Sequence, residues 1–427
     1  MTATNRRVFM GSMLAASAPR IHGANDRVNA AVVGIGGRGR DHVNFLAAQP
    51  DVRIAAVCDV NQAAQERGAA MVLKLQGEQP AVYADMRKLF ESQGVDAVAM
   101  ATPNHWHALG TIWACQAGKD VYVEKPACHN VFEGRQLIEA ARKYKRMVQV
   151  GSQSRSNAHK IEAMRLLREG AIGKIHLVKC ICYRRRRSIG RTPVEPVPPG
   201  IDWDYFLGPA PMRPYTKNRY AYNWHWFWDT GNGDIGNQGV HEMDIALWGL
   251  GEIGFPQSVA STGGKFLYDD DQETPNMQIS TFGYGGLQIV FEVRGLITNP
   301  EEGMMVGNIF YGADGLMTVD ATAFKVYKGE SRKLELERKY AEPRQYDPAP
   351  HFAGFLKAVR SRKEEDLTAG AEKGVVSASM CHLANISYRL GRKLKVDAAS
   401  WSFAGDAEAN RMLTRDYRKP YIVPDKV

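Results

Sequence analysis

Residues 28–61 read VNAAVVGIGGRGRDHVNFLAAQPDVRIAAVCDVN, and this stretch decides the fold. An apolar, β-branched run (Ala31, Val32, Val33) meets Gly34-x-Gly36-x-x-Gly39. A helix-like segment follows, and a second apolar run at 54–57 ends at Asp59. Each part answers a demand of gripping a dinucleotide. The first glycine permits the tight strand-to-helix turn, and the second lets the backbone approach the pyrophosphate. The third lets helix and strand pack closely, and the phosphates sit at the helix N-terminus, where free N–H groups point outward. Ile35 and Arg38 belong to the same loop. Asp59 follows Gly39 by 20 residues, at the end of the predicted second strand, where a carboxylate accepts hydrogen bonds from ribose hydroxyls. A carboxylate there repels a 2′-phosphate, and Val60-Asn61-Gln62 offers no Arg or Lys to bind one, so the loop favours NAD over NADP.

Strand and helix patterns alternate from residue 28 to about 150. Apolar runs fall at 30–33, 54–57, 95–101, 121–123 and 147–150, with helical periodicity at 107–117 and 131–144. That alternation predicts an α/β fold with a doubly wound parallel sheet over 28–150. Residues 159–169 read as a linking helix. After Gly173 the texture changes: a long strand at 174–183, a Pro-rich excursion at 191–214, then strand-like segments at 257–262, 277–283, 287–294, 308–311 and 316–320. These predict a second α/β domain over 151–395 with a mostly antiparallel sheet and helices at 238–249, 352–360 and 374–391. The tail from 396 is polar and Pro-punctuated, and is expected to wrap back over the body.

At 427 residues the chain exceeds one nucleotide-binding domain. It is 44% hydrophobic and 24% charged, with no apolar run long enough to span a membrane. The formal charge of +9 is spread along the chain apart from Arg184–Arg187, and no nucleic-acid motif accompanies it, so nucleic acid is not expected as a partner. Residues 1–27 carry Arg6-Arg7, a short apolar stretch and Ala16-Ser17-Ala18. They read either as a twin-arginine export signal, which would place the protein in the periplasm, or as an unstructured tail. The six cysteines show no disulfide framework and are expected as buried thiols.

Three further stretches carry chemistry. Thr102, Asn104 and His107 follow the 95–101 strand, whose carboxyl end borders the ligand crevice of a doubly wound sheet. Glu124-Lys125-Pro126 ends the next strand. A lysine there can hydrogen-bond a substrate hydroxyl and stabilise a developing oxyanion, and the bond to Pro126 is a candidate cis peptide. Asn237, His241 and Asp244 fall on one face if 237–244 is helical, and a histidine near a reactive hydroxyl is a natural proton acceptor. A metal site is rejected for want of a third strong ligand at recognisable spacing. Arg184–Arg187 fits an acidic substrate, a solvated strand end or a subunit contact. Tyr222, Trp224, Trp226 and Trp228 suit stacking on sugar C–H faces, or a core or interface.

With the glycine loop, Thr102-Pro103-Asn104-His105-Trp106-His107, Glu124-Lys125-Pro126 and the 237–244 helix in that order, the chain resembles the Gfo/Idh/MocA family over residues 28–395. The resemblance implies a Rossmann domain and a C-terminal α/β domain whose open sheet forms a homo-oligomer. It implies hydride transfer between NAD and a sugar, glycoside or cyclitol. It makes Lys125 and His241 catalytic, with Asn237, which stands where many members have Asp, orienting a hydroxyl. The implied cofactor set is Gly34, Ile35, Gly36, Arg38, Gly39, Asp59, Thr102, Asn104, His107, Glu124 and Lys125. The implied substrate set is Gln153, Arg155, Tyr183, Trp226, Asn237 and His241. Two other readings stand beside net oxidation: a glycosidase or epimerase with tightly bound NAD, working through transient oxidation, elimination, hydration and reduction, and a non-catalytic sugar sensor.

Overall fold

The computed structural model describes residues 27–340 and 349–427, so the twin-arginine stretch lies outside the described residues. Six parallel strands build the first sheet: β1 (Val28–Val33), β2 (Val52–Cys58), β3 (Ala81–Tyr83), β4 (Ala97–Met100), β5 (Asp120–Val123) and β6 (Val148–Val150). Their order is β3-β2-β1-β4-β5-β6, so the chain reverses direction across the sheet between β1 and β4. A crevice opens at the carboxyl ends of the strands at such a switch point. The short β3 carries no clear apolar alternation and was not legible in the sequence.

Helices cover both faces because their apolar stripes need burial. Asn104–Gln116 is buried along nearly its whole length, and Val131–Lys143 is capped by the Asn130 side chain on the Glu133 N–H. The helix Ala349–Ser361, which the sequence pattern put with the second domain, packs on the first. Its Phe352 stacks on Tyr122 of β5 with ring centroids 4.1 Å apart, inside the cluster formed by β1, β2 and β4.

The second sheet has ten strands. Chain order runs β7 (Ile175–Cys182), β8 (Ser258–Gly264), β9 (Met277–Gly283), β10 (Gln288–Arg294), β11 (Val306–Gly312), β12 (Gly315–Val319), β13 (Ala323–Lys328), β14 (Lys333–Lys339), β15 (Leu394–Asp397) and β16 (Ser402–Phe403). The spatial order is β14-β13-β12-β11-β7-β10-β9-β8-β15-β16, antiparallel except for the β7–β10 pair. Strands β13 to β16 were missed in the sequence: lysines interrupt β13 and β15, lysine and glutamate alternate through β14, and β16 is two residues long. The helices Gly239–Gly249 and Ala371–Leu390 pack on one face of this sheet.

Near the end of the chain Tyr421 and Val423 are buried, and Tyr421 meets Trp106 edge-on at 5.4 Å. All six cysteines are free and buried. Among the described residues no helix is long and apolar enough to cross a membrane.

Candidate active site

A cavity of about 650 Å³ opens at the carboxyl ends of β1, β2, β4 and β5. Gly34, with φ +83, forms its floor. A Cβ there would stand 2.8 Å from the Ala101 carbonyl carbon, so β1 and β4 touch through a glycine. A Cβ on Gly39 would stand 1.7 Å from the Gly34 oxygen, which leaves no room for a side chain where the helix Gly37–Ala47 meets β1. Gly36 and Gly37 face open space, and no side chain caps that helix, so its first N–H groups are available to an anion. Asp59 ends β2 and lines the cavity. Its carboxylate accepts from the Ile35 N–H at 2.6 Å and the Asn61 N–H at 2.9 Å, and burial pushes its pKa up against those donors. The Thr102 hydroxyl, at the end of β4, is buried without a hydrogen-bond partner. An open glycine loop, an uncapped helix, a ribose-height carboxylate and an orphaned hydroxyl are the features a dinucleotide would satisfy.

The other side of the cavity carries Lys125, Asn237, Gln238 and His241. Lys125 follows β5 and precedes a cis Pro126. Its ammonium donates to the Asn237 carbonyl at 2.8 Å and lies 3.4 Å from Asn237 Oδ1. Burial lowers the Lys125 pKa, opposed chiefly by Glu124. Burial also holds His241 well below the usual histidine value, and neighbouring Lys125 pushes in the same direction. Behind Lys125, the Glu124 carboxylate is caged by Arg38 Nε at 2.8 Å, His42 Nε2 at 3.0 Å and Gln153 Nε2 at 3.2 Å. Burial alone would raise its pKa, but Arg38 above all, with His42 and Lys125, holds it well below the carboxylate range. His107 bridges the Pro126 carbonyl at 2.7 Å and the Thr102 carbonyl at 2.8 Å, tying the two strand ends together. Asn104 donates to the Asn232 side chain at 3.0 Å.

Of the residues singled out in the sequence, Gly34, Gly36, Arg38, Asp59, Thr102, Asn104, His107, Glu124, Lys125, Gln153, Asn237 and His241 line this cavity together. Ile35 and Gly39 do not line it. The Ile35 side chain is buried against Gly68, and only its backbone N–H serves Asp59, while Gly39 acts through close packing. Four expectations are corrected. Arg155 is not in the cavity: it forms a bidentate pair with Asp244 (2.8 and 2.9 Å) and reaches Glu252 at 2.7 Å. That pairing also takes Asp244 off the face shared by Asn237 and His241, because the helix breaks after Asn237 and restarts at Gly239, and the restarted helix is buried nearly all round. Tyr183 lies in a separate cluster with Ile181, Met304 and Ile309, its hydroxyl between Glu292 and Glu301. Trp226 is buried in the 3-10 turn formed by residues 223–226.

That turn presents Tyr222, Trp224 and His225 to the cavity instead, and Arg67 lines it beyond Asp59. The aromatic cluster was a visible signal for the first two, whereas nothing local distinguished Arg67. Of the basic run, Arg184 bonds the Gln238 side chain at 2.9 Å and Arg186 pairs with Asp234 at 2.6 Å.

A parallel sheet with a nucleotide loop at its switch point, and a lysine and a histidine across the crevice, defines a dinucleotide-dependent oxidoreductase. Residues 28–152 match the oxidoreductase-family NAD-binding Rossmann domain and residues 185–277 and 312–423 match that family's C-terminal α/β domain. The chain belongs to the Gfo/Idh/MocA family. Among curated relatives, an alpha-N-acetylgalactosaminidase of Shewanella oneidensis is 28% identical over 152 residues, covering 35% of this chain and 33% of that protein. A glycosyl hydrolase family 109 protein of Saccharopolyspora erythraea is 32% identical over 157 residues, covering 36% and 34%. The chain thus spans about a third of the length of the curated relatives it matches. The WlbA dehydrogenase of Bordetella pertussis, solved with NADH and UDP-GlcNAcA, shares the fold with a TM-score of 0.65 at 18% identity, over 87% of this chain and 99% of that one.

Proposed function

We propose that this protein uses NAD to oxidise or reduce a hydroxyl-bearing carbon of a sugar, glycoside or cyclitol. The observation that carries the reading is the convergence of Lys125, Asn237 and His241 on one cavity whose opposite wall is the glycine loop and Asp59. Bound NAD supplies a hydride acceptor. His241, kept neutral by burial, takes the hydroxyl proton. Lys125 stabilises the charge growing on that oxygen, and Asn237 orients both the lysine and the hydroxyl. Arg38 and His42 compensate Glu124, so the cation at Lys125 remains the charge offered to substrate.

This assignment sets a pH dependence. Rate falls as acid protonates His241 and as base deprotonates Lys125. Both values are lowered, so in kcat/KM the acid limb lies below 6.5 and the alkaline limb below 10.5. An acid limb centred at or above the ordinary histidine value would remove His241 as the base.

A second reading is redox-neutral cleavage of a glycoside, favoured by relatives that carry glycosidase names and match about a third of the chain. The twin-arginine stretch supports export to the periplasm, where a retained cofactor is an advantage, and the open second sheet supports assembly of a homo-oligomer. Protein purified without added cofactor, denatured and assayed for NAD and NADH, separates the readings. Cofactor at about one per chain supports the recycling enzyme, and an empty site supports a dehydrogenase drawing on free NAD. Failure to bind NAD at any concentration overturns both.

A further inference from the structure

We propose that Tyr222 is a second acid–base residue of the cavity, serving the bond that joins a sugar to its aglycone. The role is distinct from that of His241 and rests on the redox-neutral cleavage reading above. Tyr222 lines the cavity and is 52% exposed, so it faces the space a substrate would fill. Its phenolic oxygen accepts from Asn237 Nδ2 at 3.0 Å and from Arg186 Nη1 at 3.3 Å. The orientation of Asn237 is set by chemistry: the Lys125 ammonium has only hydrogens to offer, so Oδ1 turns to Lys125 and the NH2 group turns to Tyr222. Arg186 is likewise a donor only, and it is anchored on Asp234 at 2.6 and 3.0 Å. Two fixed donors therefore occupy the phenolic oxygen, and its own O–H is left for the cavity.

The support around the ring is specific. Ala221 adopts φ +52, a left-handed conformation unfavourable for alanine, immediately before Tyr222. His225 lies against the ring at 4.5 Å, and its Nδ1 donates to the Tyr222 carbonyl at 2.5 Å. The phenol is thus held one hydrogen bond from Asn237 and two from Lys125, beside the group that polarises the reacting oxygen.

Once a ring hydroxyl has become a carbonyl, the neighbouring C–H is acidic. The C–H electron pair becomes a C=C bond, and the C–O bond on the next carbon breaks with its pair remaining on the aglycone oxygen. That oxygen takes the proton of Tyr222, and the proton leaving carbon returns to the phenolic oxygen, so the residue ends as it began. One oxygen reaches both positions because they lie on adjacent carbons. Water then adds across the double bond, and the carbonyl would become a hydroxyl again with a hydride supplied by NAD held in the site and the proton that His241 took.

The test uses the full chain loaded with NAD and a panel of methyl and 4-nitrophenyl glycosides, α-N-acetylgalactosaminides included, in D2O. Wild-type protein is expected to reduce its bound NAD, exchange the adjacent carbon proton for deuterium and release the aglycone. Tyr222→Phe is expected to keep NAD content and the NADH signal. It is expected to lose exchange and release by about 10²–10⁴-fold, more severely for methyl than for nitrophenyl glycosides. Unchanged exchange and release overturn the assignment, as does a parallel loss of the NADH signal, which would put Tyr222 in the oxidation step. NADH formation without exchange or release in the wild type also overturns it. If no glycoside reduces NAD, the cleavage reading fails and takes this one with it.

Discussion

Replacing Lys125 with methionine is expected to cut kcat/KM by about 10²–10⁴-fold while leaving NAD content unchanged. Methionine keeps the length and apolar stem but removes the charge and every donor. The Asn237 carbonyl then loses the 2.8 Å bond that holds it, and a substrate oxygen gaining negative charge has no cation beside it. Folding should be little affected, because Glu124 retains Arg38 and His42 as partners. The dinucleotide should still bind, because the glycine loop, the helix N-terminus and Asp59 grip its other end. Lys125→Arg is not a mild substitute, since a planar guanidinium cannot reproduce a point charge in a buried slot. Steady-state kinetics with bound-cofactor assays decide the matter, and a loss of less than tenfold would take Lys125 out of the chemistry.

Arg155→Ala should do the opposite: about 3–5 kcal/mol of stability is lost, and the enzyme that remains folded works normally. Arg155 and Asp244 are both almost fully buried, and the guanidinium also lies over the Trp248 ring at 5.4 Å. Removing it leaves the Asp244 carboxylate in the interior with the Ser377 hydroxyl as its remaining side-chain partner, and an uncompensated buried charge is far costlier than a missing contact. The readout is a fall of several degrees in melting temperature with KM unchanged below the transition. A raised KM at unchanged stability would restore Arg155 to the substrate set. The contrast between the two variants separates a cavity-lining cation from a cation that ties the turn Gln153–Ser156 to the helix Gly239–Gly249.

Much of the first domain is legible in the sequence. The residues from Val28 to Asp59 carry their structure in local chemistry: β-branched alternation, glycines where a Cβ cannot fit, and a carboxylate at a strand end. The ends of β4 and β5 were legible for the same reason, since carboxyl ends of parallel strands at a switch point face the crevice. Less was legible where charged residues alternate on exposed strands, as in β14, and where an apolar helix such as Ala349–Ser361 could have packed on either domain.

Sequence by itself determined the fold class, the nucleotide loop and the candidate pair Lys125 and His241, because each rests on short-range pattern. Tertiary structure alone decided which polar groups share the cavity. Lys125 meets Asn237 across 112 residues, and Glu124 is caged by Arg38 across 86. Asp244 and His241 belong to one helix, yet Asp244 turns to Arg155, because a helix buried on all sides must satisfy each polar group with whatever neighbouring element supplies. Tyr183 was placed by the same rule, its hydroxyl between two carboxylates, whereas Trp226 is simply buried in a 3-10 turn. Local pattern tells which residues can do chemistry, and packing over long sequence separations decides which of them meet.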